Sequence, residues 1–314
     1  MASWTEMVNK IGSFGNDATA INSYINQTLD SSLDNISKNR NGRNVIFYAS
    51  SFLQKPQLDP MALQITNEEI NGLMAVMHGM DFSKGLSLIL HTPGGVTNAT
   101  ETIVEYIHSK FQYVEVIIPT FAMSAGTMIA LSADLIIMGR PSQMGPIDPQ
   151  MIINGKSVSA RAVIDQFEKA KKEIHENVLN AHVWAPILGS MGPGLLIEAE
   201  KANEYSEKIV ETWLKRKGYK NADKIAKHFN SPSVHKSHGK RIDKAEVESQ
   251  GLRVEELEKD QIFQEAVLTA YHAVTIIFEK SPASKMMVSN NNTKRWVKNV
   301  VIQQNLPLPF PIQG

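Results

Sequence analysis

The chain has 314 residues, 42% of them apolar, enough for one large domain or two modest ones with a sizeable core. Its 32 Lys and Arg balance 32 Asp and Glu, so no general attraction to nucleic acid or anionic membrane follows. Cysteine is absent, which excludes disulfides, cysteine-ligated zinc, iron–sulfur clusters and thiol nucleophiles.

The opening Met-Ala-Ser-Trp-Thr-Glu-Met lacks a basic stretch followed by an apolar one, so no secretory signal is expected. Residues 1–42 are polar and rich in Asn and Ser, with room for a short helix near the start. Asn44–Ala49 reads as a strand. Thr66-Asn-Glu-Glu69 has the spacing of a capping box, and Ile70, Leu73, Met74 and Met77 follow at helical intervals. Leu86–His91 is a short buried strand that runs into the turn Thr92-Pro-Gly-Gly95. A helix from about Thr100 to Phe111 follows, then a strand over Val114–Pro119. A small-residue helix over Met123–Ala133 and a strand over Asp134–Gly139 complete the alternation.

Such alternation predicts an α/β fold with a mainly parallel sheet flanked by helices. The most apolar window, Phe121–Met138, contains Ser124, Gly126, Ser132 and Asp134. It reads as a buried helix and strand rather than a membrane span. A cytoplasmic chain without an integral membrane segment is the expectation. Beyond Asp148, helices are predicted over 160–182, 197–217, 241–250 and 259–280, with a loop at 231–240 carrying His235 and His238. The segment Leu306–Pro311 is proline-rich and extended. The expected organisation is an N-terminal extension over 1–42, a catalytic core over 43–192, a helical region over 193–284 and an extended tail over 285–314.

Ligands on parallel sheets gather at the carboxyl ends of strands, where both Thr92–Gly95 and Phe121–Ser124 fall. In Pro119-Thr-Phe-Ala-Met-Ser124-Ala-Gly126 a serine stands where a strand turns into a helix. That placement holds a hydroxyl at a sharp turn, as in a nucleophile elbow, although Gly-x-Ser-x-Gly itself is absent. The first N–H groups of a helix are unpaired, so the Ala125 amide could stabilise an oxyanion. Gly94-Gly95 lets backbone amides face a cleft, and Gly95 would supply the second donor. The plain alternative is a tight turn and a helix cap.

Leu90-His-Thr-Pro-Gly-Gly95, Phe121-Ala-Met-Ser-Ala-Gly126 and Gly145-Pro-Ile-Asp-Pro-Gln150 together resemble the Clp-class serine peptidases. Within that class the chain most resembles the serine dehydrogenase proteinase family, relatives of signal peptide peptidase A. The likeness is strongest over about residues 86–150 and weaker out to His238-Gly-Lys-Arg-Ile242. It implies a Clp/crotonase-like fold, Ser124 as nucleophile, Gly95 and Ala125 as oxyanion donors, and a homo-oligomer.

Clp proteases proper place a histidine soon after the serine, but none occurs here between Ser124 and His175. Signal peptide peptidases use a lysine from a later helix, which burial must bring to a lower pKa. The 160–182 helix has an apolar stripe of Val163, Phe167, Ala170 and Ile174. Lys171 borders that stripe, whereas Lys169 and Lys172 point away at about 100° per residue. Lys171, which follows the serine by 47 residues, is the expected base. His238 is the alternative. Asp148, held in Pro146-Ile-Asp-Pro149, would orient the base, line the groove or cap a turn. His91 is expected to be structural. His235 and His238 lack an evident third ligand, so no metal is expected.

The resulting expectation is a serine peptidase acting on peptides or unfolded proteins through an acyl-enzyme. A crotonase-like acyl-CoA enzyme and a non-catalytic interaction module of the same fold are the alternatives. Neither Gly-x-Gly-x-x-Gly nor Gly-x-x-x-x-Gly-Lys-Ser/Thr occurs, so no nucleotide or other cofactor is expected.

Overall fold

The computed structural model describes residues 4–153, 155–231 and 239–300. His235, His238 and the proline-rich segment therefore lie outside the described residues. The chain opens with α1 (Trp4–Ser13), α2 (Ala18–Asn39), β1 (Asn44–Ser50), α3 (Pro60–Leu63) and α4 (Glu69–Met77). Next come β2 (Leu86–His91), α5 (Thr97–Lys110), β3 (Val114–Ile118), β4 (Phe121–Ala122), α6 (Ala125–Leu131), β5 (Leu135–Met138) and β6 (Gln143–Met144). A hairpin of β7 (Gln150–Ile153) and β8 (Lys156–Ser159) leads into α7 (Ala160–Glu176), α8 (Ala181–Gly189), α9 (Leu195–Arg216) and α10 (Ala222–Phe229). The described chain ends with α11 (Lys244–Ser249), β9 (Val254–Glu256), α12 (Gln261–Lys280), β10 (Ala283–Ser289) and β11 (Arg295–Asn299).

The main sheet has the order β11-β10-β1-β2-β3-β5-β9. The five strands from β1 to β9 pair in parallel, while β10 and β11 are antiparallel additions at one side. Both faces are covered, which is why β1, β2 and β3 read as nearly unbroken apolar runs. The two-residue side-chain period divides each strand between two cores. Ile46, Leu88, Val116 and Ile136 are register partners and pack under α4, α5, α6, α9 and α10. Phe47, Ile89, Ile117 and Ile137, one position along, pack under α1, α2 and α12. The site described below lies on the first side, at the carboxyl ends of β2 and β4.

Two expectations differ from the structure. Residues 18–39, read as part of a polar extension with room for a short helix, form one long helix whose Ile25, Leu29, Leu33 and Ile36 are buried. Residues 283–299, mostly assigned to an extended tail, form β10 and β11; β10 is buried throughout and pairs along β1. No helix among the described residues is long and apolar enough to cross a membrane.

Candidate active site

Ser124 stands between β4 and α6, with φ 48° and ψ −111°. Positive φ is uncommon for a residue with a side chain and is retained only where the surroundings impose it. They do so here from three sides. Thr92, just past β2, accepts from Met123 N–H at 3.1 Å and donates its own N–H to Phe121 O at 3.0 Å. Thr127 Oγ1 donates to Ala122 O at 2.8 Å and accepts from Gly145 N–H at 2.9 Å. Gly126 N–H returns to Met123 O at 2.8 Å, closing the turn.

The Gly94-Gly95 pair packs against this turn. A Cβ on Gly94, whose φ is 108°, would stand 2.6 Å from Ser124 Cβ and 3.1 Å from Ala125 N, so only glycine fits. The next residue is held from behind by Ile65: Ile65 N–H donates to Gly94 O at 2.8 Å, and Val96 N–H to Ile65 O at 2.9 Å. In this parallel bridge the Gly95 N–H faces away from Ile65. A Cβ on Gly95 would approach Ile65 O to 2.2 Å, so this position too requires glycine.

Ser124 and Gly95 open onto one cleft of about 760 Å³, lined also by Asp59, Met61, Gln64, Val96, Ile147 and Tyr205. The cleft is mainly neutral, and the β7–β8 hairpin adds Gln150, Ile152 and Ser157 to its wall. Ile147 is fixed by its N–H to Phe229 O at 2.9 Å and by Ser206 Oγ to Ile147 O at 2.9 Å. Asp148 itself is buried, and its Oδ2 accepts from Gln150 Nε2 at 3.0 Å. Its neighbours Ile147 and Pro149, rather than its carboxylate, face the cleft. The contributions of Asp59, Gln64 and Tyr205 carry no local sequence signal, because they come from the two ends of α3 and from α9, far apart in the chain.

The lysines of α7 stand apart from this arrangement. Val163 and Ala170 are buried and Phe167 is half-buried, as the stripe predicts. Lys171 projects beside them into solvent, with its side chain 66% exposed and Nζ 2.8 Å from Glu168 Oε1. That carboxylate raises the ammonium above the ordinary lysine value, opposite to what a base needs. Lys169 pairs with Glu173 at 3.8 Å, and Lys172 is exposed. No described side chain hydrogen-bonds the Ser124 hydroxyl.

His91 is buried among Phe52, Phe121 and Tyr271. Its Nδ1 lies 2.9 Å from Thr120 Oγ1, while Nε2 has no partner among the described residues. Burial pushes this imidazole down to about 3, so it is neutral near pH 7.

The candidate site thus sets a serine of positive φ at a helix mouth, beside a glycine pair at the end of a parallel strand. The family described as ClpP-like SDH-type serine proteinase matches residues 60–263, and the chain belongs to that family. Its mostly parallel sheet with flanking helices is the Clp-like fold. Two archaeal relatives are similar in sequence, both from Methanocaldococcus jannaschii. Uncharacterized protein MJ1495 is 31% identical over 173 residues, 55% of this chain and 53% of that protein. Uncharacterized protein MJ0137 is 38% identical over 92 residues, 29% of this chain and 32% of that protein. The chain thus spans about half the length of the first and a third of the second. The solved 1510-N membrane-bound stomatin-specific protease aligns at 20% identity with a TM-score of 0.40, over 61% of this chain and 74% of that one.

Proposed function

We propose that the chain hydrolyses peptide bonds through an acyl-enzyme on Ser124. A peptide carbonyl enters the cleft, and Ser124 Oγ attacks its carbon as the hydroxyl proton passes to a base. The tetrahedral oxyanion takes hydrogen bonds from the Gly95 and Ala125 amides, whose positions are set before substrate arrives. The base returns its proton to the departing amine, and water then releases the acyl group by the reverse sequence. The observation that carries this reading is the backbone of Ser124, held at φ 48° against Gly94.

Lys171 is proposed as the base on its place in the sequence and its position beside the apolar stripe. In the single chain its ammonium is solvated and held by Glu168, so it acts only where α7 is covered and the amine desolvated. A homo-oligomer supplies such a cover. Val178, Leu179 and Val183, which follow α7 in the chain, are 72%, 65% and 62% exposed, an apolar surface open to such a contact. His238 is the alternative acceptor.

The neutral cleft, with Met61, Val96, Ile147 and Ile152 on its walls, suits an extended peptide or an unfolded protein segment. Incubation with unfolded protein substrates tests the reading: wild type produces fragments and Ser124→Ala produces none. Equal fragment yields from both would refute it.

A further inference from the structure

Beneath the cleft the protein buries a complete ion pair. Lys285 of β10 and Glu69 of α4 are each 1% exposed, with Nζ 2.5 Å from Oε1. Glu69 shares the lining of a small internal cavity with Ile65, Leu73, Leu88, Leu90 and Met287. Replacing a buried ion pair by apolar side chains of similar volume is often neutral or stabilising, so stability alone does not account for this one.

What distinguishes the pair is where its remaining hydrogen bonds go. Lys285 Nζ also donates to Gln64 O at 2.9 Å. Glu69 Oε2 accepts from Thr66 N–H at 2.6 Å and from Thr66 Oγ1 at 2.9 Å. The pair therefore grips the backbone on both sides of Ile65, the residue whose own N–H and carbonyl clamp Gly94 and Val96. A second arm leaves from Tyr48, whose hydroxyl lies 3.4 Å from Glu69 Oε1 and stands near the Thr92 side chain. Thr92 Oγ1 in turn accepts the Gly94 N–H at 3.1 Å. Thr92 is the same residue whose backbone holds Phe121 and Met123 ahead of Ser124. Both arms end on the glycine pair, one from behind and one from the side.

We propose that Lys285 and Glu69 are positioning residues for the oxyanion cradle: through Ile65 and Thr92 they fix the Gly94-Gly95 backbone against Ser124. Describing that backbone as an oxyanion cradle rests on the hydrolase reading above; the clamp itself does not. Charge-assisted hydrogen bonds are short and directional, and oxyanion donors act only when placed within a few tenths of an ångström. Apolar packing would hold the same segment with looser aim.

The double variant Glu69→Gln/Lys285→Met removes both charges at nearly constant volume and leaves neither stranded. Thr66→Val is a milder variant that deletes one contact to Glu69. Two measurements apply to each. Hydrogen exchange of the 92–97 peptide, in a Ser124→Ala background, reads the clamp without reference to activity. The saturation kinetics of a fluorophosphonate probe read the cradle. For the double variant we expect exchange at 92–97 to rise about tenfold while the β3 peptide is unchanged, and the maximal labelling rate to fall about tenfold or more with half-saturation kept within about twofold. Thr66→Val gives intermediate values on both.

Wild-type exchange at 92–97, or a wild-type maximal rate in a variant that merely melts lower, overturns the proposal. If the double variant does not fold, the same criteria applied to Thr66→Val decide it. If wild type takes up no probe at all, the hydrolase reading fails, and the exchange measurement still decides the clamp.

Discussion

Gly94 and Ser124 meet backbone to backbone: a Cβ on the glycine would lie 2.6 Å from the serine Cβ. Gly94→Ala therefore carries a positive-φ penalty and a collision that moves either Ser124 or the Gly95 amide. We expect a loss of about 1–3 kcal/mol in stability and of about a hundredfold in labelling by a serine-reactive probe. Chemical denaturation and labelling rates on the same preparation check both. A stable variant labelled at the wild-type rate would show that the contact is incidental.

The strain at Ser124 makes a separate prediction about two variants that lack its hydroxyl. Ser124→Ala keeps a side chain at φ 48°, whereas Ser124→Gly relieves it. Glycine normally costs stability through the unfolded chain, but a left-handed position reverses the sign. Ser124→Gly is expected to be about 1 kcal/mol more stable than Ser124→Ala. Equal denaturation midpoints would mean that the serine turn is unstrained.

Most of this site was legible because its parts are local. The apolar runs at 86–91 and 114–118, the glycine pair and the small-residue helix after Ser124 each announce themselves within a few residues. The capping box at Thr66 was legible as well, and Glu69 does accept from the Thr66 N–H. Its second partner, Lys285, lies far along the chain, so the sequence showed the cap and hid the ion pair. For the same reason β10 reads as part of an extended tail: the carboxylate that lets its lysine be buried lies far away in the sequence. The length and burial of the helix over 18–39 were missed differently. Its apolar residues recur at helical spacing, but one face alone is buried and the Asn and Ser between them dominate the composition.

The base is where spacing and structure diverge most. Lys171 borders the apolar stripe as predicted, yet it faces solvent beside Glu168. Under the proposed mechanism, Lys171→Met lowers peptide hydrolysis by about 10²–10⁴-fold without altering the melting temperature, since the side chain is exposed. Steady-state hydrolysis and sedimentation on the same sample check this, because the effect belongs to the assembled state. A wild-type rate from Lys171→Met would remove Lys171 from the mechanism and leave His238 to be tested by His238→Gln.

A buried and a half-buried histidine predict acid sensitivity. Burial pushes His91 down to about 3, and burial, aided by nearby Lys217, pushes His108 down to about 4. Between those values and the ordinary imidazole value of about 6.5, the unfolded chain binds protons that the folded chain does not. Stability therefore falls as pH drops through that window, by about 1.4 kcal/mol per pH unit for each histidine. Denaturation at several pH values between 7 and 4.5 on wild type and His91→Gln is the check, and the variant should show a slope smaller by about one proton. Identical slopes would place the acid sensitivity elsewhere.

The central claim is that one hydroxyl, Ser124 Oγ, is the activated nucleophile. Peptide mapping by mass spectrometry after treatment with a fluorophosphonate probe tests it most directly. The account predicts a single phosphonyl adduct on the peptide containing Ser124, absent from the Ser124→Ala chain. An adduct on another serine that persists in Ser124→Ala, or an assembled wild-type protein that takes up no probe, would contradict it.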